Sequence, residues 1–269
     1  MLFVCPKCKQ KLNIIGSSAV CPSGHSYDRS RKGYYNLLLS QGGYHGDNRE
    51  MVLARRRFLD GGFYEPLAKT VAELVSEYTE RGGQVLDMGC GEGYYTDFIS
   101  RALVDKHGES SVSGFDISRE AIVCACGRGS GVQYAVAGSY DMPVADAAVD
   151  TAVNMFSPLA VDEINRVLKP TGVFVMAIPG DEHLFGLKSK LYSKPYKNTV
   201  QDTAIPGLHL VCDRPISYQI ELDSAEEIKA LFAMTPYAYR TDSEGRERLN
   251  SLKSLATEVD FRVFVYKKI

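Results

Sequence analysis

Residues 84–99 combine three features that together predict one type of fold. Residues 84–88 form a short apolar strand, the next five residues contain three glycines, and an amphipathic helix follows. Glycines let the backbone of such a turn approach a ligand closely, and the N-terminus of the helix behind it favours negative charge. A strand, a glycine turn and a helix in this order form the opening of a Rossmann-like unit. The sequence therefore predicts a doubly wound α/β domain that binds a ligand at this turn.

The spacing of the three glycines favours one class of cofactor. Dinucleotide enzymes carry G-x-G-x-x-G after the strand, whereas this turn contains Asp87-x-Gly89-x-Gly91-x-Gly93, with its third glycine one position early. The pattern resembles the cofactor loop of class I methyltransferases, whose methyl donor, S-adenosylmethionine, has no pyrophosphate for the loop to wrap. An acid such as Asp87 can help to hold the ammonium group of that donor. We expect the cofactor site to include Asp87, Gly89, Cys90, Gly91, Glu92, Gly93, Tyr94 and Tyr95.

A second acid lies about one βα unit downstream. The second predicted strand ends near Asp116, whose carboxylate can accept hydrogen bonds from both ribose hydroxyls of the cofactor. The alternative is an ordinary turn acid, because Ser118 caps a helix directly after it. We expect Ile117 to belong to the same site. Methyltransferases often carry an adenine-binding acid after the third strand, where this chain has Gly138, so backbone groups or Ser139 are expected to replace that contact.

The later strands complete a seven-stranded sheet. They are predicted at 132–136, 149–156, 172–178, 209–222 and 261–266. Seven strands with a terminal strand inserted antiparallel are the layout of the class I methyltransferases, and the resemblance implies this layout here. The catalytic domain is expected to span residues 83–269.

The first 40 residues predict a small zinc module. They contain Cys5-x2-Cys8 followed by Cys21-x3-His25, a spacing that fits a tetrahedral zinc site. Because four protein ligands leave no position for water, this zinc would be structural. Metal binding would supply the folding free energy that so short a segment lacks. A set of unrelated thiols is the alternative.

Two segments follow the zinc ligands, one at the end of this module and one between the module and the catalytic domain. Directly after the zinc ligands, basic residues alternate with Tyr34 and Tyr35, a composition that can hold phosphates and stack RNA bases. A solvated loop with two packing tyrosines explains the pattern equally well. Residues 41–82 are expected to form a glycine-rich linker followed by two helices, at about 48–60 and 65–78.

The acceptor side of the domain carries weaker signals. Class I methyltransferases place the methyl acceptor near the loop after the fourth strand, here 154–159, which lacks the Asn-Pro-Pro-Tyr or Asp-Pro-Pro-Tyr sequence of exocyclic-amine enzymes. After the fifth strand, Asp181 and His183 are candidates for a general base, or for holding the acceptor in its reactive tautomer. The alternative is a cluster of acids in the first turn of a helix. Four lysines between 188 and 197 form a candidate phosphate track.

Net charge and hydropathy indicate which partners and which cellular compartment to expect. The formal net charge is −2, so any RNA contact must come from local basic patches. The N-terminus is too short an apolar run for a signal peptide, and no stretch reaches the ~18 apolar residues that span a bilayer. We therefore expect a soluble, cytoplasmic protein with no membrane partner, in which cysteines are thiols or metal ligands.

Two motifs together resemble a narrower family. One is Cys-Pro-x-Cys at 5–8 with Cys-Pro-x-x-His at 21–25 and Lys-Gly-Tyr-Tyr-Asn at 32–36, and the other is the glycine turn at 86–93. Their combination is similar to the bacterial 23S rRNA guanine-N1 methyltransferases, a family that includes macrolide-resistance members. The resemblance implies a guanine in a 23S rRNA hairpin loop as acceptor, S-adenosylmethionine as donor, zinc on the four N-terminal ligands, and a homodimer.

Two other functions are compatible with the same residues. One is a small-molecule methyltransferase whose zinc module only stabilises the fold. The other is a non-catalytic RNA-binding protein with a vestigial cofactor fold. Transfer of a labelled methyl group to RNA, to metabolites or to neither distinguishes the three.

Overall fold

The computed structural model describes residues 1–39, 46–129, 131–199 and 203–269. Its N-terminal part contains a three-stranded antiparallel sheet formed by β1 (Asn13–Ile15), β2 (Ser18–Val20) and β3 (Ser26–Asp28). Cys5 and Cys21 are buried beside this sheet. The small sheet and its cysteines confirm a compact N-terminal module.

A larger mixed sheet forms the body of the molecule. Its strands in chain order are β4 (Tyr35–Asn36), β5 (Gln84–Met88), β6 (Ser111–Asp116), β7 (Gln133–Val136), β8 (Val149–Met155), β9 (Leu168–Pro179), β10 (Leu208–Leu222) and β11 (Leu255–Lys268). Their spatial order is β10-β11-β9-β8-β5-β6-β7-β4. Strands β5 to β9 are parallel, and β11 lies antiparallel between β9 and β10. The predicted class I layout is confirmed.

Eight helices are described. They are α1 (Arg49–Asp60), α2 (Glu65–Tyr78), α3 (Tyr94–His107), α4 (Arg119–Ala125), α5 (Val161–Val167), α6 (Phe185–Leu191), α7 (Ala225–Ala233) and α8 (Ser243–Ser251). The two predicted N-terminal helices match α1 and α2. Helix α1 begins where it does because the Asn48 side chain accepts a hydrogen bond from the backbone N–H of Met51.

Alternate residues of the central strands supply two hydrophobic cores. Val153 and Val175 pack in one cluster, together with apolar residues of α1, α2 and α3. Ala152 and Phe174 belong to the other, which includes residues of α5 and of the N-terminal module. Because successive strand residues point to opposite faces, the continuous apolar runs of β8 and β9 are those of a sheet buried on both sides.

The N-terminal module shares the sheet and one core of the catalytic domain. Strand β4 pairs in parallel with β7 at the sheet edge and supplies the eighth strand, which the sequence did not predict. Phe3 is fully buried in the same cluster as Leu86 and Phe174. The module therefore packs onto the catalytic sheet, while the proposed divisions of the chain after residues 40 and 82 stay predictions.

Two predicted strands are too short. The structure extends the predicted 172–178 to Leu168–Pro179 and the predicted 261–266 to Leu255–Lys268. Pairing of β11 with β10 continues from Lys268 back to Leu255. This ladder carries polar residues such as Thr257, so hydrophobic alternation alone could not mark the strand's beginning.

Residues 40–45, which include most of the predicted glycine linker, lie outside the described residues. Within the described part of the chain, no helix is long and apolar enough to cross a membrane.

Candidate active site and zinc site

Three sulfur atoms and one imidazole nitrogen converge in the N-terminal module. The candidate ligand atoms of Cys5, Cys8, Cys21 and His25 all lie within 4.8 Å of one another. The Sγ atoms of Cys8 and Cys21 are 3.6 Å apart, close to the ~3.8 Å expected for two thiolates that each lie ~2.3 Å from one tetrahedral zinc ion. His25 presents Nδ1, which lies 3.4 Å from Cys21 Sγ. The donor set therefore fits zinc, and all seven cysteines are free.

The surroundings of Cys5 favour the form that binds metal. The hydroxyl of Tyr27 lies 3.3 Å from Cys5 Sγ. Burial raises the pKa of Cys5, but hydrogen bonds from Tyr27 and from backbone N–H groups outweigh it and lower that pKa to about 6. Since the thiolate is the metal ligand, Tyr27 supports the cluster from outside the ligand set.

The glycine turn lies at the carboxyl end of β5. Gly89 has a φ of 72°, and a Cβ there would lie 2.4 Å from the Cβ of Ser157. Gly91 has a φ of 56°, and a Cβ there would meet no atom within 4 Å. Glycine adopts this backbone conformation without strain. The turn is therefore packed against the loop after β8 on one side and open to a cavity on the other.

This cavity, of about 1330 Å³, runs along the carboxyl ends of the central strands. Ligands of open α/β sheets bind at this edge. Of the eleven predicted cofactor residues, all but Gly93 line the cavity. Those that do are Asp87, Gly89, Cys90, Gly91, Glu92, Tyr94, Tyr95, Asp116, Ile117 and Ser139. Gly93 instead packs against Ala125 and Tyr134.

The two carboxylate oxygens of Asp87 differ in their hydrogen bonding. Its Oδ2 accepts a 2.6 Å hydrogen bond from the Thr96 hydroxyl, whereas its Oδ1 is buried without a hydrogen-bond partner among the described residues. Burial raises the pKa of Asp87 to about 7. An unsatisfied carboxylate oxygen beside the turn is the group that an incoming ammonium would complete.

Asp116 lies at the carboxyl end of β6, next to that turn. Its Oδ2 accepts a 2.9 Å hydrogen bond from the Gly91 backbone, and its Oδ1 accepts one of 2.7 Å from the Ser118 backbone. Each carboxylate oxygen can accept more than one hydrogen bond. Asp116 therefore caps its own turn, as the alternative explanation expected, and still lines the cavity with capacity for a ligand.

The remaining residues predicted to contact the cofactor differ in what they do in the structure. The Glu92 carboxylate is buried and pairs with Arg128 at 2.6 Å, so its charge is already compensated within the protein. Ile117, Gly138 and Ser139 line the cavity together with Leu38, which follows β4 of the N-terminal module. This end of the cavity combines apolar side chains with backbone groups, which suits a flat base held without an acid.

Four aromatic rings line one side of the cavity, which we call the aromatic wall: Tyr64, Tyr95, Phe156 and Phe261. Phe261 lies 5.1 Å from Tyr64 and 5.2 Å from Phe156 between ring centroids. Phe156 is half exposed, at 46%. Its φ of 61° is unusual for a bulky residue. The loop that imposes this conformation is fixed to β5, because the Ser157 hydroxyl donates to the Met88 carbonyl at 2.7 Å.

The two candidate general bases, His183 and Asp181, lie in different environments. His183 is buried and lines the cavity, with Nε2 3.3 Å from the Tyr64 hydroxyl and Nδ1 3.3 Å from the backbone nitrogen of Asp260. Burial, with a smaller contribution from the Lys188 charge, lowers the pKa of His183 to about 3. Asp181 is exposed, does not line the cavity, and accepts a hydrogen bond from the Glu182 backbone.

Two basic patterns are only partly available to RNA. Tyr34 and Tyr35 are both buried, which fits the packing explanation rather than base stacking. Lys188, the first lysine of the predicted phosphate track, is fully buried and donates to the Tyr196 carbonyl, so it cannot meet a phosphate. Arg31 and Lys32 remain exposed.

Sequence reasoning missed the aromatic wall except for Tyr95. Tyr64 ends a helix-helix turn, Phe156 follows β8, and Phe261 lies within β11, so no local spacing connects them. Phe156 alone carried a positional signal, because it lies in the loop where methyltransferases place the acceptor.

Comparison with known proteins identifies both parts of the chain. The model described as "Methyltransferase domain" matches residues 85–172. The zinc-ribbon model described as "RlmA, N-terminal" matches residues 3–42. These matches confirm the predicted class I fold, its cofactor S-adenosylmethionine, and the structural zinc ion of the N-terminal module.

The relatives that match more than two thirds of this chain are named for one reaction. YxjB of Bacillus subtilis, provisionally named a 23S rRNA (guanine-N1)-methyltransferase, is 30% identical over 99% of this chain and 97% of its own length. The 23S rRNA (guanine(748)-N1)-methyltransferase of Streptomyces fradiae is 32% identical over 70% of this chain and 66% of its own. Among solved structures, the MccD protein is 19% identical and covers 76% of this chain and 98% of its own, with a TM-score of 0.48. The chain belongs to the 23S rRNA (guanine-N1)-methyltransferase family.

Proposed function

We propose that this protein transfers a methyl group from S-adenosylmethionine to N1 of a guanine in a hairpin loop of 23S rRNA. The observation that carries the proposal is the continuity of one cavity from the glycine turn to the aromatic wall. A nucleoside cofactor at the first end and a planar base at the second would bring donor and acceptor together. Relatives named for this reaction match both the zinc ribbon and the catalytic domain.

The cofactor end supplies complementary charge and shape. Asp87 Oδ1, buried without a partner among the described residues, would accept from the ammonium of the cofactor. Asp116 would accept from its ribose hydroxyls. Ile117, Ser139 and Leu38 would enclose the adenine, using backbone groups in place of the acid that many methyltransferases have at the Gly138 position.

The acceptor end holds a base by its faces. The half-exposed ring of Phe156 offers a surface on which a guanine taken out of its helical stack can lie. S-adenosylmethionine supplies an electrophilic methyl carbon. Guanine N1 gives up its proton to solvent water, its lone pair forms the new bond, and the electrons of the broken carbon–sulfur bond stay on the departing S-adenosylhomocysteine. Alignment of the two reactants accounts for much of the rate enhancement.

The N-terminal module presents cations next to the catalytic domain. Arg31, Lys32 and Tyr34 of the module line a groove together with Arg119 and Glu120 of α4, so three cations face one acid. Arg119 is largely exposed, and its Nε donates to the Tyr34 hydroxyl at 3.0 Å. Such a groove suits RNA phosphates, which position a substrate without reading its sequence. A 23S rRNA substrate also implies action in the cytoplasm, and we infer a homodimer from the resemblance to the family alone.

Methyl transfer to isolated RNA tests the proposal. Protein, radiolabelled S-adenosylmethionine and unmodified 23S rRNA are incubated, and digested nucleosides are separated by mass spectrometry. We expect the label in N1-methylguanosine. Label in low-molecular-weight metabolites but never in RNA would favour a small-molecule enzyme, and failure to bind the cofactor in calorimetry would favour a non-catalytic RNA-binding protein.

A further inference from the structure

Asp260 of β11 makes three hydrogen bonds to the loop that carries His183, and the Glu258 carbonyl accepts a fourth from the Leu184 backbone. The Asp260 carbonyl accepts from the Gly180 backbone at 2.8 Å. The Asp260 carboxylate accepts from the Glu182 backbone at 3.1 Å. Its backbone N–H donates to His183 Nδ1 at 3.3 Å. The imidazole is therefore held at a fixed position in the cavity wall.

The bond from Asp260 also determines where His183 carries its proton. A backbone N–H can only donate, so Nδ1 must be the unprotonated nitrogen. Burial keeps the ring neutral at physiological pH, since the pKa of His183 is lowered to about 3. A neutral imidazole with a bare Nδ1 carries its hydrogen on Nε2. That nitrogen lies 3.3 Å from the Tyr64 hydroxyl and donates to its oxygen.

His183 consequently has no free lone pair with which to deprotonate a substrate. Its Nδ1 lone pair is used by Asp260 and its Nε2 carries a proton. The sequence-based assignment of His183 as general base is therefore replaced by a different role, in which it orients Tyr64.

The hydroxyl proton of Tyr64 is not used in the hydrogen bond with His183. The Tyr64 oxygen accepts from His183, so the hydroxyl hydrogen must point elsewhere. His183 is the one hydrogen-bond partner of this hydroxyl among the described residues. Tyr64 lines the cavity, and its ring is held edge-on by Phe58 at 4.9 Å and Phe261 at 5.1 Å. Burial raises the pKa of Tyr64, so the hydroxyl stays protonated.

We propose that the Tyr64 hydroxyl donates a hydrogen bond to O6 of the target guanine, with His183 as the positioning residue that aims it. This inference rests on the proposed function. Loss of the N1 proton to solvent water spreads negative charge onto O6. A hydrogen bond from a neutral donor is strongest in that anion, so the hydroxyl favours the deprotonated base that attacks the methyl carbon. Adenine carries an amino donor at this position, so it cannot accept the hydrogen bond that guanine O6 accepts.

Tyr64→Phe tests the hydroxyl while the ring stays in place. We expect kcat/KM for 23S RNA to fall about 10- to 100-fold, with the cofactor Kd unchanged. The rate ratio of wild type to variant should shrink as pH rises, because alkaline conditions remove the N1 proton without help. Besides His183, the titratable groups that face Tyr64 are Tyr95, Tyr218 and Tyr237, and Lys188 faces His183.

Two comparisons separate this role from a structural one. Tyr218→Phe removes a nearby hydroxyl that does not line the cavity and donates to the Phe63 carbonyl at 2.8 Å, so its pH profile should match wild type. His183→Gln keeps a side-chain N–H for Tyr64 and should retain more activity than His183→Leu.

The possible results are distinguishable. If wild type methylates guanine N1 and Tyr64→Phe has the same rate and pH profile, the inference is wrong while the proposed function stands. If Tyr64→Phe weakens cofactor binding by the same factor as kcat/KM, the hydroxyl serves the cofactor and the inference is also overturned. If wild type methylates no guanine in 23S RNA, the proposed function itself fails.

Discussion

The backbone N–H of Gly91 donates a 2.9 Å hydrogen bond to the carboxylate of Asp116. The bond joins the glycine turn after β5 to the end of β6, two segments that are 25 residues apart in sequence. The acid that would bind the ribose thus also fixes the shape of the turn that would receive the rest of the cofactor.

Replacing Asp116 tests this double role. Asp116→Ala removes the acceptors for both the ribose and Gly91, so we expect the Kd of S-adenosylmethionine to rise about 10- to 100-fold in calorimetry. Asp146→Ala, at an exposed acid that pairs with Arg166, is the matched control and should leave the Kd unchanged. Equal affinity for wild type and Asp116→Ala would remove Asp116 from the site.

We expect the Asp87 carboxylate to lower the free energy of unfolding and to strengthen binding of S-adenosylmethionine. Its pKa of about 7 lies above the ~3.9 of an unfolded chain. Between these values the unfolded state binds fewer protons, so the carboxylate lowers the free energy of unfolding as pH rises. Asp87→Asn should therefore exceed wild type in stability at pH 8 by about 2–4 kcal/mol, a difference that narrows toward pH 5.

The same substitution should weaken cofactor binding at pH 8, because the ammonium loses its anionic partner. Urea unfolding and calorimetry measure the two effects separately. Asp97→Asn serves as control, since Asp97 also has a buried oxygen without a hydrogen-bond partner in the described part of the chain but does not line the cavity. A variant of Asp87 that bound the cofactor as tightly as wild type would contradict the ammonium contact.

The zinc content of cysteine variants tests the ligand set directly. Cys8→Ser should reduce bound zinc from about one equivalent per chain to a small fraction, because a four-ligand site has no spare donor. Hydrogen exchange over residues 1–39 should accelerate, while cofactor affinity stays largely intact. Cys212→Ser changes a cysteine on β10, outside the cluster, and should keep its metal. Unchanged zinc in Cys8→Ser would show that the ligand set is wrong.

Alanine substitutions at Gly89 and Gly82 distinguish the cost of a steric clash from the cost of backbone strain. Both have positive φ, 72° and 76°, but a Cβ on Gly89 would lie 2.4 Å from Ser157 whereas one on Gly82 would meet nothing within 4 Å. Gly82→Ala should cost about 1 kcal/mol from strain alone. Gly89→Ala should cost more and should displace the loop after β8, with loss of methyl transfer. Thermal unfolding and activity of the pair test this packing.

Local spacing made the two cofactor sites predictable. Cys5, Cys8, Cys21 and His25 lie within a short segment whose intervals match one coordination geometry. The turn after β5 was equally predictable from the sequence, because three glycines at alternate positions indicate a backbone with positive φ angles.

The aromatic wall and the role that we propose for His183 were not predictable in the same way. Tyr64 and Phe261 meet only because α2 and β11 pack together, a long-range consequence of the fold. The tautomer of His183 depends on a backbone N–H of Asp260, 77 residues away. A sequence pattern could therefore nominate His183 as functional but could not tell a base from a positioning group.

Mapping the methylated nucleotide tests the central claim most directly. Unmodified 23S rRNA is treated with the protein and S-adenosylmethionine, digested with a base-specific ribonuclease, and sequenced by tandem mass spectrometry. We predict a gain of about 14 Da on one guanine of a hairpin loop, the mass of CH2 in a one-to-one transfer, with fragments that assign the methyl group to N1. Cofactor binding without N1-methylguanosine in any large-subunit RNA would contradict the account.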